Sequence, residues 1–211
     1  MINTVAVIGG SGFVGRAVIE KLAQAGKQII VLCRNSDRAK FLKPMGRIGQ
    51  ITIVAGDALD DAALSRVMAP ADAAVNLVGI LAESGAQRFD RLQGELPGRI
   101  GALAAQYDHQ AVVHISAICA DAGSASRYAQ TKAAGEAGLK AAFPNAVVLR
   151  PSIVFGPRDS FFNRFATIAL VRPPLPSPVG CLMRLYPVYV EAVAFAVIAG
   201  LCVVGKKLKK S

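Results

Sequence analysis

Residues 5–15 read Val5-Ala6-Val7-Ile8-Gly9-Gly10-Ser11-Gly12-Phe13-Val14-Gly15. An apolar run therefore leads directly into glycines with the spacing G-x-x-G-x-x-G, and an amphipathic helical pattern follows. Gly9 permits a tight turn, Gly12 a close approach of the backbone to a phosphate, and Gly15 close packing of helix on strand. The free N–H groups and the dipole of the helix N-terminus favour an anion there. The stretch predicts a dinucleotide-binding turn, and a purely structural turn is the alternative.

The remaining chain repeats the same alternation of short apolar runs and longer helical patterns. Strands are predicted at residues 4–8, 28–33, 50–55, 73–77, 111–115 and 146–149. Helices are predicted at residues 13–25, 37–42, 60–68, 87–107 and 125–142. Strands that alternate with helices indicate βαβ units and a parallel sheet. We therefore expect the α/β class, as a Rossmann-type doubly wound parallel sheet.

The composition indicates one heavily buried domain. The chain has 211 residues, of which 53% are hydrophobic and only 18% charged, against a usual charged share of about 25%. Sheets covered by helices on both faces have this composition, and disordered chains do not. We expect a nucleotide-binding domain over residues 1–157 and a short C-terminal segment over residues 158–211.

The formal net charge of +10 admits nucleic acid, an anionic membrane surface or an anionic ligand as partner. Four lysines lie among the last six residues, and the other basic residues are scattered without interleaved aromatic residues. Nucleic acid is therefore not expected. The four cysteines and two histidines have no metal-ligand spacing, so we expect no metal and reduced thiols.

The residues near the two ends of the chain indicate where in the cell the protein is expected. The first residues lack the basic region of a signal peptide, so secretion by that route is not expected. A helix is predicted at 161–171, and a proline-rich linker or extended arm at 172–179. Residues 192–205 are apolar, but at about 14 residues they are shorter than the roughly 20 that span a bilayer. A buried or membrane-surface helix is favoured there over a membrane span.

Polar residues at later strand ends extend the predicted cofactor site. Arg34 ends the second strand, where NAD-selective sites usually have an acidic residue, and an arginine there suits a 2′-phosphate. It favours NADP(H) over NAD(H), with Arg38 as a possible second contact and a solvated surface arginine as the alternative. Other cofactor contacts are expected at the ends of the third and fourth strands, from Asp57, Ala58, Asn76 and Gly79. The turn itself is expected to contribute Gly9, Ser11, Gly12, Phe13, Val14 and Gly15.

Tyr128 and Lys132 stand four residues apart in a predicted helix, which puts the phenol and the ammonium group on one face. A tyrosine pKa near 10 must fall by about 3 units for proton transfer at neutral pH, and a nearby cation favours that change. Lys132 can also hold the nicotinamide ribose. Ser116 ends the fifth strand, where its hydroxyl can polarise a substrate carbonyl. The three are candidate catalytic residues, and an ordinary amphipathic helix is the alternative for the pair.

These residues together resemble the short-chain dehydrogenase/reductase superfamily in its NAD-dependent epimerase/dehydratase branch. Within it, the chain is similar to bacterial homologues of the nucleotide-binding accessory subunit of respiratory complex I. The similarity covers roughly residues 1–171. It is carried by Gly9 to Gly15, Gly46-Arg-Ile-Gly-Gln50, Asn76-Leu-Val-Gly-Ile-Leu81, the Ser116 strand, Tyr128 to Lys132, Ala142-Phe-Pro-Asn145, Leu149-Arg-Pro-Ser-Ile-Val-Phe-Gly-Pro157 and Phe161-Phe-Asn-Arg-Phe165.

The resemblance implies bound NADPH, with Pro151 as a further cofactor contact, and a structural role in assembly of the complex. Members continue into a C-terminal lobe that closes over the nicotinamide, so a truncated lobe is expected here. Three functions follow: a dinucleotide-binding subunit, peripheral on the cytoplasmic side of the inner or plasma membrane; an active oxidoreductase or epimerase using Tyr128, Lys132 and Ser116; or a degraded paralogue.

Overall fold

The computed structural model describes residues 2–85, 87–159 and 186–207. Six strands form its central sheet: β1 (Thr4–Ile8), β2 (Gln28–Cys33), β3 (Ile51–Ala55), β4 (Ala73–Asn76), β5 (Ala111–Ile115) and β6 (Val147–Leu149). Their order is β3-β2-β1-β4-β5-β6, and every neighbouring pair is parallel. This is the strand order of a dinucleotide-binding Rossmann sheet. The predicted fold class is confirmed.

Helices cover both faces of the sheet. They are α1 (Phe13–Gln24), α2 (Ser36–Ala39), a 3₁₀ helix (Lys40–Met45), α3 (Asp61–Met68), a π-helical segment (Asp90–Glu95), α4 (Leu96–Gln106), α5 (Arg127–Ala142) and α6 (Val190–Lys207). Two short strands, β7 (Val154–Phe155) and β8 (Val188–Tyr189), pair in parallel beside the main sheet.

Two hydrophobic cores lie on opposite faces of the sheet. The alternation along β1 divides its side chains between them, Val5 and Val7 entering one core and Ala6 and Ile8 the other. The first core receives apolar residues of α1 and α6, and the second those of α3, α4 and α5. Because strands buried on both faces have apolar side chains at every position, β1 and β4 are almost continuous apolar runs.

The predicted 87–107 helix is divided between Glu95 and Leu96 into a π-helical segment and α4, and Pro97 lies in the first turn of α4. Proline has no N–H, so the carbonyl of Gln93, four residues earlier, loses its usual α-helical donor. A Cβ placed on Gly135 of α5 would lie 1.9 Å from that carbonyl oxygen. The altered helical winding thus accompanies a very close approach between the two helices, which the apolar periodicity did not reveal.

The apolar segment near the C-terminus lies in α6 and is buried along one side, whereas its Phe195 and Val203 side chains are 59% and 57% exposed. Its Val193, Ala194 and Val197 side chains are at most 4% exposed, and Ala194 and Val197 join the core that α1 borders. Glu191 at its start forms an ion pair with Lys21 of α1 at 3.0 Å, so the charge within this segment is neutralised by the neighbouring helix. In the described ranges, no helix is both long and apolar enough to cross a bilayer.

The helix predicted at 161–171 and the proline-rich stretch at 172–179 lie outside the described residues, as do the last lysines of the tail.

Candidate functional site

The glycine turn connects β1 to α1 at the carboxyl edge of the sheet. Gly9 has φ +83°, a conformation that side chains with a Cβ rarely adopt. Its N–H donates to the Leu32 carbonyl of β2 at 3.3 Å, and its carbonyl accepts from the Gly12 N–H at 3.3 Å. Helix α1 starts at Phe13 with no side-chain cap and no acidic residue in its first turn. Its first N–H groups can therefore bind an anion.

The other glycines of the turn differ in what they allow. A Cβ on Gly15 would lie 2.3 Å from the Gly10 carbonyl oxygen, so Gly15 is needed for α1 to pack against the turn. A Cβ on Gly12 would meet only the Gly9 oxygen, at 3.6 Å. Gly12 is exposed and has an ordinary φ of −76°. Neither packing nor backbone conformation requires glycine there, so the missing side chain leaves room for a bound group.

A cleft of about 350 Å³ opens beside this turn. It lies at the carboxyl ends of the strands, where open α/β sheets bind ligands. Among its lining residues are seven that the sequence predicted as cofactor contacts: Gly9, Ser11, Gly12, Arg34, Asp57, Ala58 and Gly79. Arg34 and Asp57 are both exposed. The Asp57 carboxylate accepts the Leu59 N–H at 2.9 Å, which orders the turn after β3.

Several other predicted contacts do not line this cleft. Phe13, Val14 and Gly15 belong to the first turn of α1. Asn76 is 1% exposed, and its Oδ1 accepts the Val78 N–H at 3.1 Å, so its side chain shapes the turn after β4. Pro151 accepts the Ile118 N–H at 3.0 Å and thereby joins the segments that follow β5 and β6.

Ten further cleft residues were not among the contacts predicted from the sequence, although Leu77, Val78 and Ile80 lie in the stretch Asn76 to Leu81 that carries the family resemblance. Most of the ten are apolar or small side chains that the fold brings together. They are Leu32, Cys33, Gly56, Leu59, Leu77, Val78, Ile80, Ser84, Gln87 and Leu92. One buried side chain supports this wall from behind: Gln93, 1% exposed, donates from Nε2 to the Ile80 carbonyl at 2.8 Å.

Lys132 lies next to one end of this cleft. Its ammonium group would be 3.5 Å from a Cβ on the cleft-lining Gly79, and it donates to the Ile115 carbonyl at 3.3 Å. The side chain is 4% exposed. Burial lowers the pKa of Lys132 to about 8, although Glu136 and Cys119 oppose the change. At neutral pH the ammonium form still predominates, so the chain holds a buried cation at this end of the cleft.

Tyr128 precedes Lys132 by one turn of α5, and its ring packs edge-on against Phe89 with centroids 5.8 Å apart. The phenol is partly buried. Burial raises its pKa above the ordinary value, and Cys119 adds to the increase. This direction is opposite to the lowering that the Tyr128–Lys132 spacing led us to expect. In the protein chain alone, burial is therefore the main influence on the pKa of the phenol.

Ser116 is 4% exposed, and its hydroxyl is fully buried away from the cleft. It lies beside the Glu136 carboxylate, which Arg150 binds through both oxygens. Burial opposes ionisation of Glu136, but Arg150, Ser116 and His114 together lower its pKa. Ser116 is thus part of a buried polar cluster behind Lys132, together with His114. The sequence did not identify Glu136 or Arg150 as members of the site.

The cleft fits an extended anionic dinucleotide. The first N–H groups of α1 are uncapped, and the absence of a side chain at Gly12 leaves space for a phosphate beside them. Arg34 adds a positive charge to the lining of the same cleft. At the other end, the Lys132 ammonium can donate to sugar hydroxyls. Among the described residues, the turn at Gly9 and Gly12 would hold the pyrophosphate and Lys132 a ribose of the group.

The sequence also matches known proteins. It is 30% identical over 207 residues to the Arabidopsis thaliana mitochondrial NADH dehydrogenase [ubiquinone] 1 alpha subcomplex subunit 9, covering 97% of this chain and 52% of that protein. It is 30% identical over 174 residues to a Caulobacter vibrioides ceramide reductase, covering 82% of this chain and 53% of that protein. The chain therefore spans about half the length of these curated relatives.

The fold is also found in solved structures. A UDP-N-acetylglucosamine 4-epimerase from Bacillus cereus superposes with a TM-score of 0.68 at 18% identity, covering 96% of this chain and 74% of that one. At such low identity, the likeness concerns the fold alone.

The family follows from a match that covers most of the chain. The sequence pattern of the NAD dependent epimerase/dehydratase family matches residues 5–173, which include the glycine turn, the Arg34 strand end and the Tyr128–Lys132 pair. Together with the cleft, this match confirms the resemblance drawn from the sequence. The chain belongs to the NAD dependent epimerase/dehydratase family, and its cleft can hold the nicotinamide dinucleotide after which that family is named.

Proposed function

We propose that this chain binds NADP(H) and acts as a structural or assembly subunit in the respiratory chain. The observation that carries the proposal is its similarity to the complex I subunit 9 of Arabidopsis thaliana, which extends over 97% of the chain. A family fold with a formed dinucleotide cleft accompanies that similarity. In such a role, the bound nucleotide stabilises the folded subunit by binding only to its native state.

The preference for the phosphorylated dinucleotide rests on Arg34. Its side chain lines the cleft immediately after β2, the position from which a site can distinguish a ribose 2′-hydroxyl from a 2′-phosphate. The carboxylate that lines the cleft, Asp57, follows β3 instead. The cleft lining after β2 therefore has the positive charge of Arg34 and no carboxylate. A guanidinium group binds phosphate well.

We further propose that the protein lies at the surface of the inner or plasma membrane, where it contacts subunits of the complex. Basic residues near an anionic leaflet contribute about 1 kcal/mol each, and the C-terminal segment ends with four lysines among six residues. Because electrostatic contact of this kind is screened by salt, it is reversible.

Membrane fractionation tests this function. Membranes of the source cells are washed with increasing salt, detergent-solubilised complex I is then purified, and the chain is detected with an antibody. We expect it on membranes at low salt and in the purified complex. If the chain is found only in the soluble fraction and never in purified complex, the proposal is wrong.

A second candidate function is an active oxidoreductase or epimerase. It is favoured by the position of the Lys132 ammonium beside the cleft-lining Gly79, and by similarity to a ceramide reductase. The cofactor would supply hydride chemistry. Tyr128 would transfer a proton at its phenol oxygen, and Lys132 would hold the ribose and favour the phenolate. Because Ser116 is buried behind Lys132, it would support the position of Lys132 and would not contact the substrate.

A substrate screen with purified chain separates the two functions. Carbonyl and alcohol substrates are incubated with NADPH or NADP⁺, and the variant Tyr128→Phe is compared with Tyr107→Phe, whose ring lies at the end of α4. If the protein is an enzyme that uses Tyr128, only the Tyr128→Phe variant should lose turnover. Turnover that survives this substitution would remove Tyr128 from the mechanism, and absence of turnover in all three proteins would favour the structural role.

A further inference from the structure

Residues 46–50 form a tightly held loop in front of β3, here called the 46–50 loop. The Arg47 N–H donates to Gln50 Oε1 at 2.8 Å, and Gln50 Nε2 donates to the Ala23 carbonyl at 2.9 Å. Gln50 is 6% exposed, so the loop is fastened to the end of α1 by a buried amide. At its tip, Ile48 is 107% exposed. A fixed loop thus presents an apolar side chain entirely to the outside.

The loop leads into β3, which is the edge strand of the sheet. The Gln50 carbonyl and the Gly56 N–H both bond to β2, at 2.9 and 3.0 Å. Backbone groups alternate in direction along a strand, so those of Ile51 and Ile53 face away from β2. In the part of the chain that the structure describes, the N–H and carbonyl groups of Ile51 and Ile53 form no hydrogen bond with groups outside the sheet. The edge can accept another strand.

A shallow depression of about 580 Å³ lies between this edge and the preceding 3₁₀ helix. Ile48 and Thr52 line it, with two cations, Lys43 and Arg47. Both cations are exposed, and within the described ranges neither forms an ion pair. No acidic residue lines the depression. The surface is positive around an apolar centre.

We propose that an extended, acidic segment of a partner protein adds as a strand to the β3 edge, with an apolar side chain against Ile48 and carboxylates on Lys43 and Arg47. A strand supplies regularly spaced donors and acceptors for the Ile51 and Ile53 main chains, which a lipid surface does not. The charge complementarity selects an acidic sequence. This inference goes beyond the respiratory-chain function and does not depend on it.

Photo-crosslinking in the source cells tests the proposal. The full chain carries a benzophenone amino acid in place of Ile48, or, as a control, in place of Leu81, which is exposed beside the cleft at 82%. After irradiation, adducts are identified by mass spectrometry. We expect a position-48 adduct with a protein segment rich in Asp and Glu. An adduct with lipid alone, or none above the Leu81 control, overturns the proposal.

Two further measurements test the mode of binding. The double variant Lys43→Glu and Arg47→Glu should lower the yield of the adduct about tenfold, while Arg88→Glu with Arg91→Glu, an equal charge change elsewhere, should not. A synthetic peptide of the crosslinked segment should slow hydrogen exchange at the Ile51 and Ile53 amides. An undiminished yield, or unchanged exchange, contradicts strand addition by an acidic segment.

Discussion

Arg150 binds both oxygens of Glu136: its Nε donates to Oε1 at 2.9 Å and its Nη2 to Oε2 at 2.6 Å. The Glu136 side chain is 11% exposed, whereas that of Arg150 is 51% exposed. The pair therefore extends from solvent into the protein, where Glu136 also raises the pKa of Lys132 against the effect of burial. A surface arginine is thereby linked to the cation beside the cleft.

Replacing Glu136 with glutamine should weaken this link. We expect Glu136→Gln to lower the free energy of unfolding by about 1 kcal/mol, since the pair is partly screened by solvent. It should also lower the pKa of Lys132 further below about 8, because its buried counter-charge is lost. Urea unfolding and titration of Lys132 by NMR measure the two effects. Asp37→Asn, which breaks the exposed pair with Lys40, should leave the urea midpoint unchanged; equal midpoints for all three proteins would contradict the prediction.

The glycines of the turn should separate binding from folding. Gly12→Ala should cost less than about 1 kcal/mol of stability, yet weaken NADPH binding at least about tenfold, because its methyl group occupies space for the phosphates. Gly15→Ala should instead destabilise the fold by about 1 to 3 kcal/mol, since its Cβ would lie 2.3 Å from the Gly10 oxygen. Urea unfolding and calorimetric titration with NADPH check both. Unimpaired binding by folded Gly12→Ala would mean that the phosphates bind elsewhere.

Arg34 should determine the choice of dinucleotide. Arg34→Ala should raise the Kd for NADPH by about 10- to 100-fold, the scale of a charge-assisted contact, and leave the Kd for NADH nearly unchanged. Lys43→Ala is the control, because this exposed cation on the 3₁₀ helix lines the separate depression beside β3 and not the cleft. Titration of each variant with both nucleotides gives the four constants. If the wild-type protein co-purifies with NADH, or if Arg34→Ala weakens both nucleotides equally, the assignment to the 2′-phosphate fails.

His114 should make the protein sensitive to acid. It is 1% exposed. Burial, together with Lys132, lowers its pKa to about 4 from 6.5. The unfolded chain therefore takes up a proton at higher pH than the folded one. The stability contributed by neutral His114 is complete above pH 6.5 and is lost as the pH falls towards 4.

The expected loss from this group between pH 7 and pH 5 is about 2 kcal/mol. It should be absent in His114→Leu, a variant of similar volume without the buried nitrogens. The free energy of urea unfolding, measured for both proteins at each pH, gives the difference. His109, whose pKa burial also lowers, is present in both and cancels. An equal loss in both proteins would show that His114 is not the titrating group.

Much of the fold was predictable because it depends on local patterns. The strands at Thr4–Ile8, Gln28–Cys33 and Ala111–Ile115 have the predicted bounds, because each is a short apolar run between polar or glycine residues. The predicted 87–107 helix is interrupted, because Pro97 removes a donor and Gly135 lets another helix approach. Gly135 lies almost forty positions after Pro97, so no local sequence pattern around Pro97 indicates this close approach.

By itself, the sequence determined the succession of strands and helices and the glycine turn, since periodicity and backbone conformation act between near neighbours in the chain. Only the tertiary structure decided that Ala194 and Val197 of the apolar segment pack in the core beside α1, that Ser116 is buried, and that Arg150 reaches Glu136. It also decided that burial raises the pKa of Tyr128. The physical reason is that desolvation and ion pairing depend on the full set of neighbours, which the fold brings together from distant positions in the chain.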